Sequence, residues 1–201
     1  AAGILVTDHV IASRADIARS HVMAPPYVVK PVRDGSSVNV FIVREGTEHP
    51  PQEILRDDWD GEEELMVERY IPGRELTCAV MGDVALGVIE IVTDLSFYNY
   101  EAKYRKGGSH HILPAEVSPN IYEKVRNMSL KAHGALGCRG VTRADFRYDP
   151  RGGDDGELVC LEINTQPGMT ETSLVPELAA HAGHDFPDLV AWMVEDASCN
   201  R

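Results

Sequence analysis

Two spacings of apolar residues run through this chain. The first is strict alternation of polar and apolar positions, the period of a half-buried strand. It marks both arms of the stretch 141–164, while 27–31, 64–71, 76–81 and 84–92 are short, largely apolar runs that also read as strands. Gly82-Asp83 supplies a tight turn between two of these runs, and the turn formers at 149–156 join two others, so both pairs read as β-hairpins. The second spacing is helical. Ile121, Val125, Met128, Ala132 and Ala135 recur at steps of four and three, with Ser118-Pro119 opening the run and Gly137 closing it. Ser13 followed by Asp16 predicts the start of a short helix, and another is expected around 52–58. Two more close the chain, at 174–182 and 186–197; Leu189, Val190, Met193 and Val194 form an apolar stripe on the last, expected to face the core. The order of elements predicts an α+β fold with antiparallel hairpins, not the regular β-α alternation of a doubly wound sheet.

The hairpin 141–164 concentrates the chemistry. Residues two apart on a strand share a face, so Arg143 pairs with Asp145 on one arm and Glu162 with Asn164 on the other. Closed symmetrically over its loop, the hairpin would set Arg143 near Glu162 and Asp145 near Cys160. Three oxygen ligands beside one arginine suit a hard cation such as Mg²⁺, which binds one or two carboxylates and fills its shell with water and phosphate. An edge hairpin with a solvated, charged face fits the same spacing. The next residues, Thr165 to Thr170, form a turn in which Gly168 lets backbone N–H groups approach a ligand closely. Metal ligands followed by such a turn point towards phosphate chemistry.

Elsewhere the candidates are single residues. Lys30 ends an apolar strand just before Gly35-Ser36-Ser37, where it either snorkels to water or meets an anion. Glu68 and Glu75 flank the Pro72-Gly73 break, where a base and a ribose can find partners, although taken alone these residues read first as ordinary surface glutamates. The segment 93–114 loses all periodicity and gathers cations, reading as a lid over an anionic ligand; His110 and His111 are taken as loop residues within it. The net charge of −13 over 201 residues excludes general nucleic-acid binding, which needs a basic face. No apolar run is long enough to span a bilayer and no secretory signal is visible. Cys78, Cys138, Cys160 and Cys199 show no metal-finger spacing and read as small hydrophobes or free thiols, which makes the cytoplasm the default setting.

Five stretches together carry a resemblance: Y-V-V-K-P-V-R-D-G-S-S-V (27–38), V-E-R-Y-I-P-G-R-E-L-T (67–77), F-Y-N-Y-E-A-K-Y (97–104), G-C-R-G-V-T-R-A-D-F (137–146) and L-E-I-N-T-Q-P-G-M-T-E-T-S-L-V-P (161–176). In this order and spacing the chain resembles the ATP-grasp fold, and within it the D-alanine–D-alanine ligases. The resemblance implies two α+β subdomains with antiparallel sheets enclosing the nucleotide, a central one over 1–71 and a C-terminal one over 72–201. It implies ATP and two Mg²⁺ ions, replaceable by Mn²⁺, as what the site binds. Lys30 and Lys103 would hold phosphates, Glu68, Arg69 and Ile71 the adenine, and Glu75 the ribose. Asp145, Glu162 and Asn164 would bind the metals. Arg143 and the N–H of Gly168 would stabilise the tetrahedral intermediate, Ser173 and Leu174 would line the dipeptide end, and Ser36 with Tyr104 would hold the mobile loop shut.

The implied reaction has two steps. The carboxylate of one D-alanine takes the γ-phosphoryl group of ATP, and the amine of a second D-alanine then displaces phosphate from the acyl phosphate. The partners implied are D-alanine and ATP, with neither nucleic acid nor membrane, and a homodimer for the full-length enzyme. Such ligases also have an N-terminal Rossmann-like domain, whose glycine-rich turn has no counterpart here. The chain is therefore expected to be the central and C-terminal portion, able to hold nucleotide weakly but unable to ligate alone. A ligase using D-lactate or another D-amino acid, and a non-catalytic ATP- and Mg²⁺-binding domain, are the alternatives. Tyr104 after Glu101-Ala102-Lys103 favours the dipeptide ligase, and a complete set of charged residues favours catalysis.

Overall fold

The computed structural model describes residues 2–33, 37–93, 110–153, 155–170 and 172–198. They fall into two compact units, one built on Thr7–Ile71, the other on the chain up to Val6, Pro72–Val92 and the residues from His110 onward.

In the first unit, four antiparallel strands lie in the order β1-β4-β2-β3: β1 His9–Ser13, β2 Tyr27–Pro31, β3 Phe41–Val43 and β4 Glu64–Arg69. β2 forms where its apolar run predicts a strand, and its burial alternates along the chain. Tyr27 and Val29 are fully buried, and with Leu65 and Val67 of β4 they pack on Ile17 and Ile54. Ile17 belongs to helix α1, Arg14–Arg19, whose start is fixed by the Ser13 hydroxyl accepting the Asp16 N–H at 3.1 Å. That satisfies one of the N–H groups a helix start leaves without an internal partner. The helix expected at 52–58 is one 3₁₀ turn, Glu53–Leu55. The opposite face of this sheet carries Lys30 and Glu68.

The second unit is a five-stranded antiparallel sheet in the order β7-β6-β5-β8-β9, with β5 Arg74–Met81, β6 Val84–Val92, β7 His110–Ile112, β8 Val141–Asp149 and β9 Glu157–Asn164. Helix α2, Pro119–Ala135, covers one face. Its Ile121, Val125 and Met128 pack on Leu76, Cys78, Phe146 and Leu158. Helix α3, Leu174–His181, packs on β6 and β5 and carries α4, Phe186–Asp196.

Three expectations change here. The opening residues do not join the first unit as the boundary 1–71 supposed. The Cys160 N–H donates to the Leu5 carbonyl at 2.9 Å, and Val6 forms a parallel bridge with Cys160, so the chain starts along the free edge of β9. His110 and His111 are strand residues, paired with Val92 and Ile91. On α4 only Leu189 of the expected stripe is buried, while Val190 and Val194 are exposed. A helix at the outside of a unit has one neighbour to pack on, so a stripe wider than that contact stays in water.

Candidate active site

The hairpin β8–β9 closes in a different register from the symmetrical one. Next to the turn, Asp149 faces Glu157, Arg147 faces Val159 and Phe146 faces Cys160; the pairing then shifts, so that Asp145 faces Glu162 and Arg143 faces Asn164. Leu161 is the extra residue, a β-bulge. The bulge decides the chemistry. Opposed residues in a sheet share a face, so the pairing nearer the turn, continued unchanged, would set Leu161 opposite Asp145 and send Glu162 to the helix-covered side. With the bulge, Cys160 and Ile163 both pack into the core beneath α2 while Glu162 and Asn164 join Asp145 on the other face.

On that face the contacts are dense. Arg143 grips Asp145 with a two-pronged ion pair, Nε to Oδ1 at 2.8 Å and Nη2 to Oδ2 at 2.7 Å. Thr77 of β5, directly opposite Asp145, donates its hydroxyl to Oδ1 at 2.6 Å. The Asn164 amide nitrogen donates to Asp145 Oδ2 and Glu162 Oε1, both at 3.2 Å. The Asn164 amide therefore bridges the two carboxylates, and Glu162 is exposed. Further along the same face, Arg147 opposes Glu75; it reaches the carboxylate at 3.5 Å and the Gly73 carbonyl at 2.9 Å. Gly73 has φ +93°, and a Cβ there would come within 2.3 Å of the Tyr148 carbonyl oxygen, so only glycine fits this approach.

The first unit holds a buried carboxylate. Glu68, 5% exposed, accepts Lys30 Nζ on Oε1 and the Thr7 hydroxyl on Oε2, each at 2.6 Å. The Arg69 N–H is bonded to the Asp8 carbonyl and Ile71 is buried, 3% exposed. In the second unit, Gly168 has no room for a side chain, because a Cβ would stand 2.9 Å from Ser173 Oγ. That hydroxyl also accepts the Thr170 N–H at 2.9 Å, so the turn after β9 and the start of α3 are tied together. Leu174 is a core residue, 8% exposed. Ser36, Lys103 and Tyr104 lie outside the described residues.

Four contributors escaped the sequence reading: Thr7, Thr77, Arg147 and Glu177. Glu177 Oε2 lies 2.6 Å from Nδ1 of His111, linking β7 to the first turn of α3. Thr77 and Glu75 stand two apart on one strand, a spacing that marks them for one face. Thr7, His111 and Glu177 meet their partners across long loops that no local pattern reveals. Burial pushes the Cys78 and Cys160 thiols up to about 11, so neither is poised as a metal-binding thiolate at neutral pH. A cavity of 750 Å³ beside β3, lined among others by Phe41, His49 and Arg56, includes none of the candidate residues.

A family model described as "D-ala D-ala ligase C-terminus" matches residues 2–195. This chain belongs to that family. It is 66% identical to a D-alanine–D-alanine ligase of Afipia carboxidovorans and 62% identical to one of Xanthobacter autotrophicus. Both alignments take in 100% of the chain, which spans 65% and 66% of those proteins' length. Among solved structures, a D-alanine–D-alanine ligase from Bacillus anthracis aligns over 96% of this chain and 62% of its own, with a TM-score of 0.71 and 30% identity. The VanG D-Ala:D-Ser ligase from Enterococcus faecalis aligns over 96% of this chain and 57% of its own, with a TM-score of 0.74 and 28% identity. The expected ATP-grasp, α+β architecture of two antiparallel sheets with helices is thus the fold of this family member. No helix among the described residues is long and apolar enough to cross a membrane.

Proposed function

We propose that this chain is the nucleotide- and metal-handling part of a D-alanine–D-alanine ligase, an ATP-consuming enzyme that acts in the cytoplasm and supplies peptidoglycan synthesis. Thr7–Ile71 serves as the central subdomain and the sheet β5–β9 with its helices as the C-terminal one. The observation that carries the reading is the bulged hairpin, which gathers Arg143, Asp145, Glu162 and Asn164 on one face. The names of the relatives support it, as does a Bacillus anthracis D-alanine–D-alanine ligase structure described as complexed with ATP, with a TM-score of 0.69 and 29% identity.

The donor set fits Mg²⁺. Asp145 and Glu162 bring carboxylate oxygens, and Asn164 reaches both of them at 3.2 Å. Asn164 offers its amide oxygen to a cation in place of the hydrogen bonds its nitrogen now donates. Bound there, Mg²⁺ neutralises charge on the transferred phosphoryl group.

The chain's own residues do the rest. Lys30 reaches Glu68 through one ammonium contact, so it can turn to a phosphate while Thr7 still holds the carboxylate. Lys103 is the second phosphate lysine, and Ser36 with Tyr104 secures the loop. Glu68, Arg69 and Ile71 receive the adenine, and Glu75, steadied by Arg147, receives the ribose. In the first step an oxygen of the D-alanine carboxylate bonds to the γ-phosphorus and the bond to ADP breaks. In the second, the amine of the other D-alanine bonds to the acyl carbon and phosphate leaves. Arg143 and the Gly168 N–H stabilise the oxyanion between those events. Ser173, which accepts the Thr170 N–H and so ties down the turn that carries Gly168, bounds the product end with Leu174.

The test is phosphate release from ATP by the intact protein with Mg²⁺, with and without D-alanine, alongside detection of the dipeptide. D-alanine-dependent release accompanied by D-alanyl-D-alanine supports the reading; ATP turnover indifferent to D-alanine would sink it. The likeness to a D-Ala:D-Ser ligase favours one second reading, a different second substrate on the same site, and D-serine or D-lactate in place of the second D-alanine decides it. Light scattering on the intact protein tests the homodimer.

A further inference from the structure

Thr77 is fully buried in the central strand of its sheet, 0% exposed, yet ends in a hydroxyl. Valine has the same shape and is equally suited to a strand, and the neighbour across β6 is the apolar Ile89. Packing alone gives no reason for the oxygen. Its contacts do. The hydroxyl lies 2.6 Å from Asp145 Oδ1 and 3.2 Å from the Ala144 carbonyl. A hydroxyl has one proton, and the shorter distance to a charged acceptor marks where it goes.

Asp145 accepts at least four hydrogen bonds: Arg143 Nε and Thr77 Oγ1 on Oδ1, Arg143 Nη2 and Asn164 Nδ2 on Oδ2. Three of these come from side chains with other work in the proposed reaction, since Arg143 supplies two and Asn164 is itself a candidate ligand. Thr77 alone among them is enclosed on all sides and has no such duty. We propose that Thr77 is a positioning residue for the metal site, its buried hydroxyl fixing the rotamer in which Asp145 meets a divalent cation. Held on Oδ1 in this way, the carboxylate keeps Oδ2 on the side of Asn164, the neighbouring candidate ligand. The inference rests on Asp145 being a metal ligand, as proposed above.

Mn²⁺ binding to the intact protein, with ADP present, tests it by the electron paramagnetic resonance of free Mn²⁺. Thr77→Val is expected to weaken Mn²⁺ about 10- to 100-fold, with Thr77→Ser restoring most of the affinity because it returns the hydroxyl. Thermal melting of the metal-free proteins separates positioning from folding: a purely structural role would lower the melting temperature and leave the Mn²⁺ affinity of the folded protein unchanged. Wild-type affinity in Thr77→Val, where Asp145→Asn has lost binding, overturns the inference. Wild-type affinity in Asp145→Asn overturns the metal reading itself, and the inference falls with it.

Discussion

Two arginine–carboxylate forks sit on opposite faces of the same sheet. On the face beneath α2, Arg74 grips Glu90, donating through both Nε and Nη2, and gives a further hydrogen bond to the Glu116 carbonyl at 2.9 Å. On the other face Arg143 grips Asp145. The first fork is balanced: one cation, one anion, Glu90 only 8% exposed, and the Arg74 guanidinium held above its ordinary range chiefly by that hydrogen bond. The second is more crowded: among the described residues, Asn164 bridges the same carboxylate to a further acid, Glu162. A closed pair ties strands together. A cluster of oxygen donors on one face is what the proposed cation site requires. The difference lies in the neighbours, not in the pair.

The sharpest way to break this comparison is to truncate the balanced fork. Glu90→Ala leaves Arg74 largely buried without its anion and is expected to destabilise the protein by about 3–5 kcal/mol, read by urea unfolding. Replacing both members with leucine should recover most of the loss, since a well-packed apolar pair can match a buried ionic one. Failure of the double variant to recover would mean that Arg74 does more than balance charge.

Arg143→Ala should show the opposite profile. Loss of one oxyanion donor costs about 100- to 1000-fold in turnover, with a much smaller change in melting temperature, because Thr77 and Asn164 still hold Asp145. Equal loss of stability in the two arginine variants would erase the distinction between the faces.

A smaller effect concerns pH. His133, buried at the end of α2 with Nδ1 2.8 Å from the Thr142 hydroxyl, has its imidazole held below its ordinary value chiefly by burial. The unfolded chain therefore takes up the proton first as pH falls. The stability due to neutral His133 is complete above about pH 6.5 and is lost as pH drops from there towards the folded value. Melting curves of wild type and His133→Gln across that window should converge on acidification; parallel curves would show that His133 titrates no differently on folding. The smallest effect is at α4, where Val194→Ala should change stability by less than about 0.5 kcal/mol, against roughly 2–5 kcal/mol for Leu189→Ala.

Much of this was legible in the chain. Short apolar runs at 27–31 and 76–92 and alternation at 141–164 located the central strands, and period two placed Arg143 with Asp145 and Glu162 with Asn164. What alternation does not carry is register across a turn, because the number of residues the turn absorbs is invisible to it. The clue was Cys160 and Ile163, both apolar and three apart, an odd interval between two core positions. β1 and β7 went unread because neither has a buried residue to mark a core face, and β7 is only three residues long. The apolar stripe at 189–194 misled for a related reason, since spacing says which side chains share a surface but not whether anything covers it.

The extra residue at Leu161 also sets how this site tolerates change in chain length. Point substitutions at 161 leave the count of residues intact, so the carboxylate of Glu162 stays where it is. Deleting Leu161 would leave a regular ladder with Glu162 still opposite Asp145, whereas deleting Ile163 would set Leu161 opposite Asp145 and turn Glu162 towards the helix-covered face. The hairpin thus carries one spare residue: the same loss of a single unit is absorbed at 161 and turns the acid inward at 163.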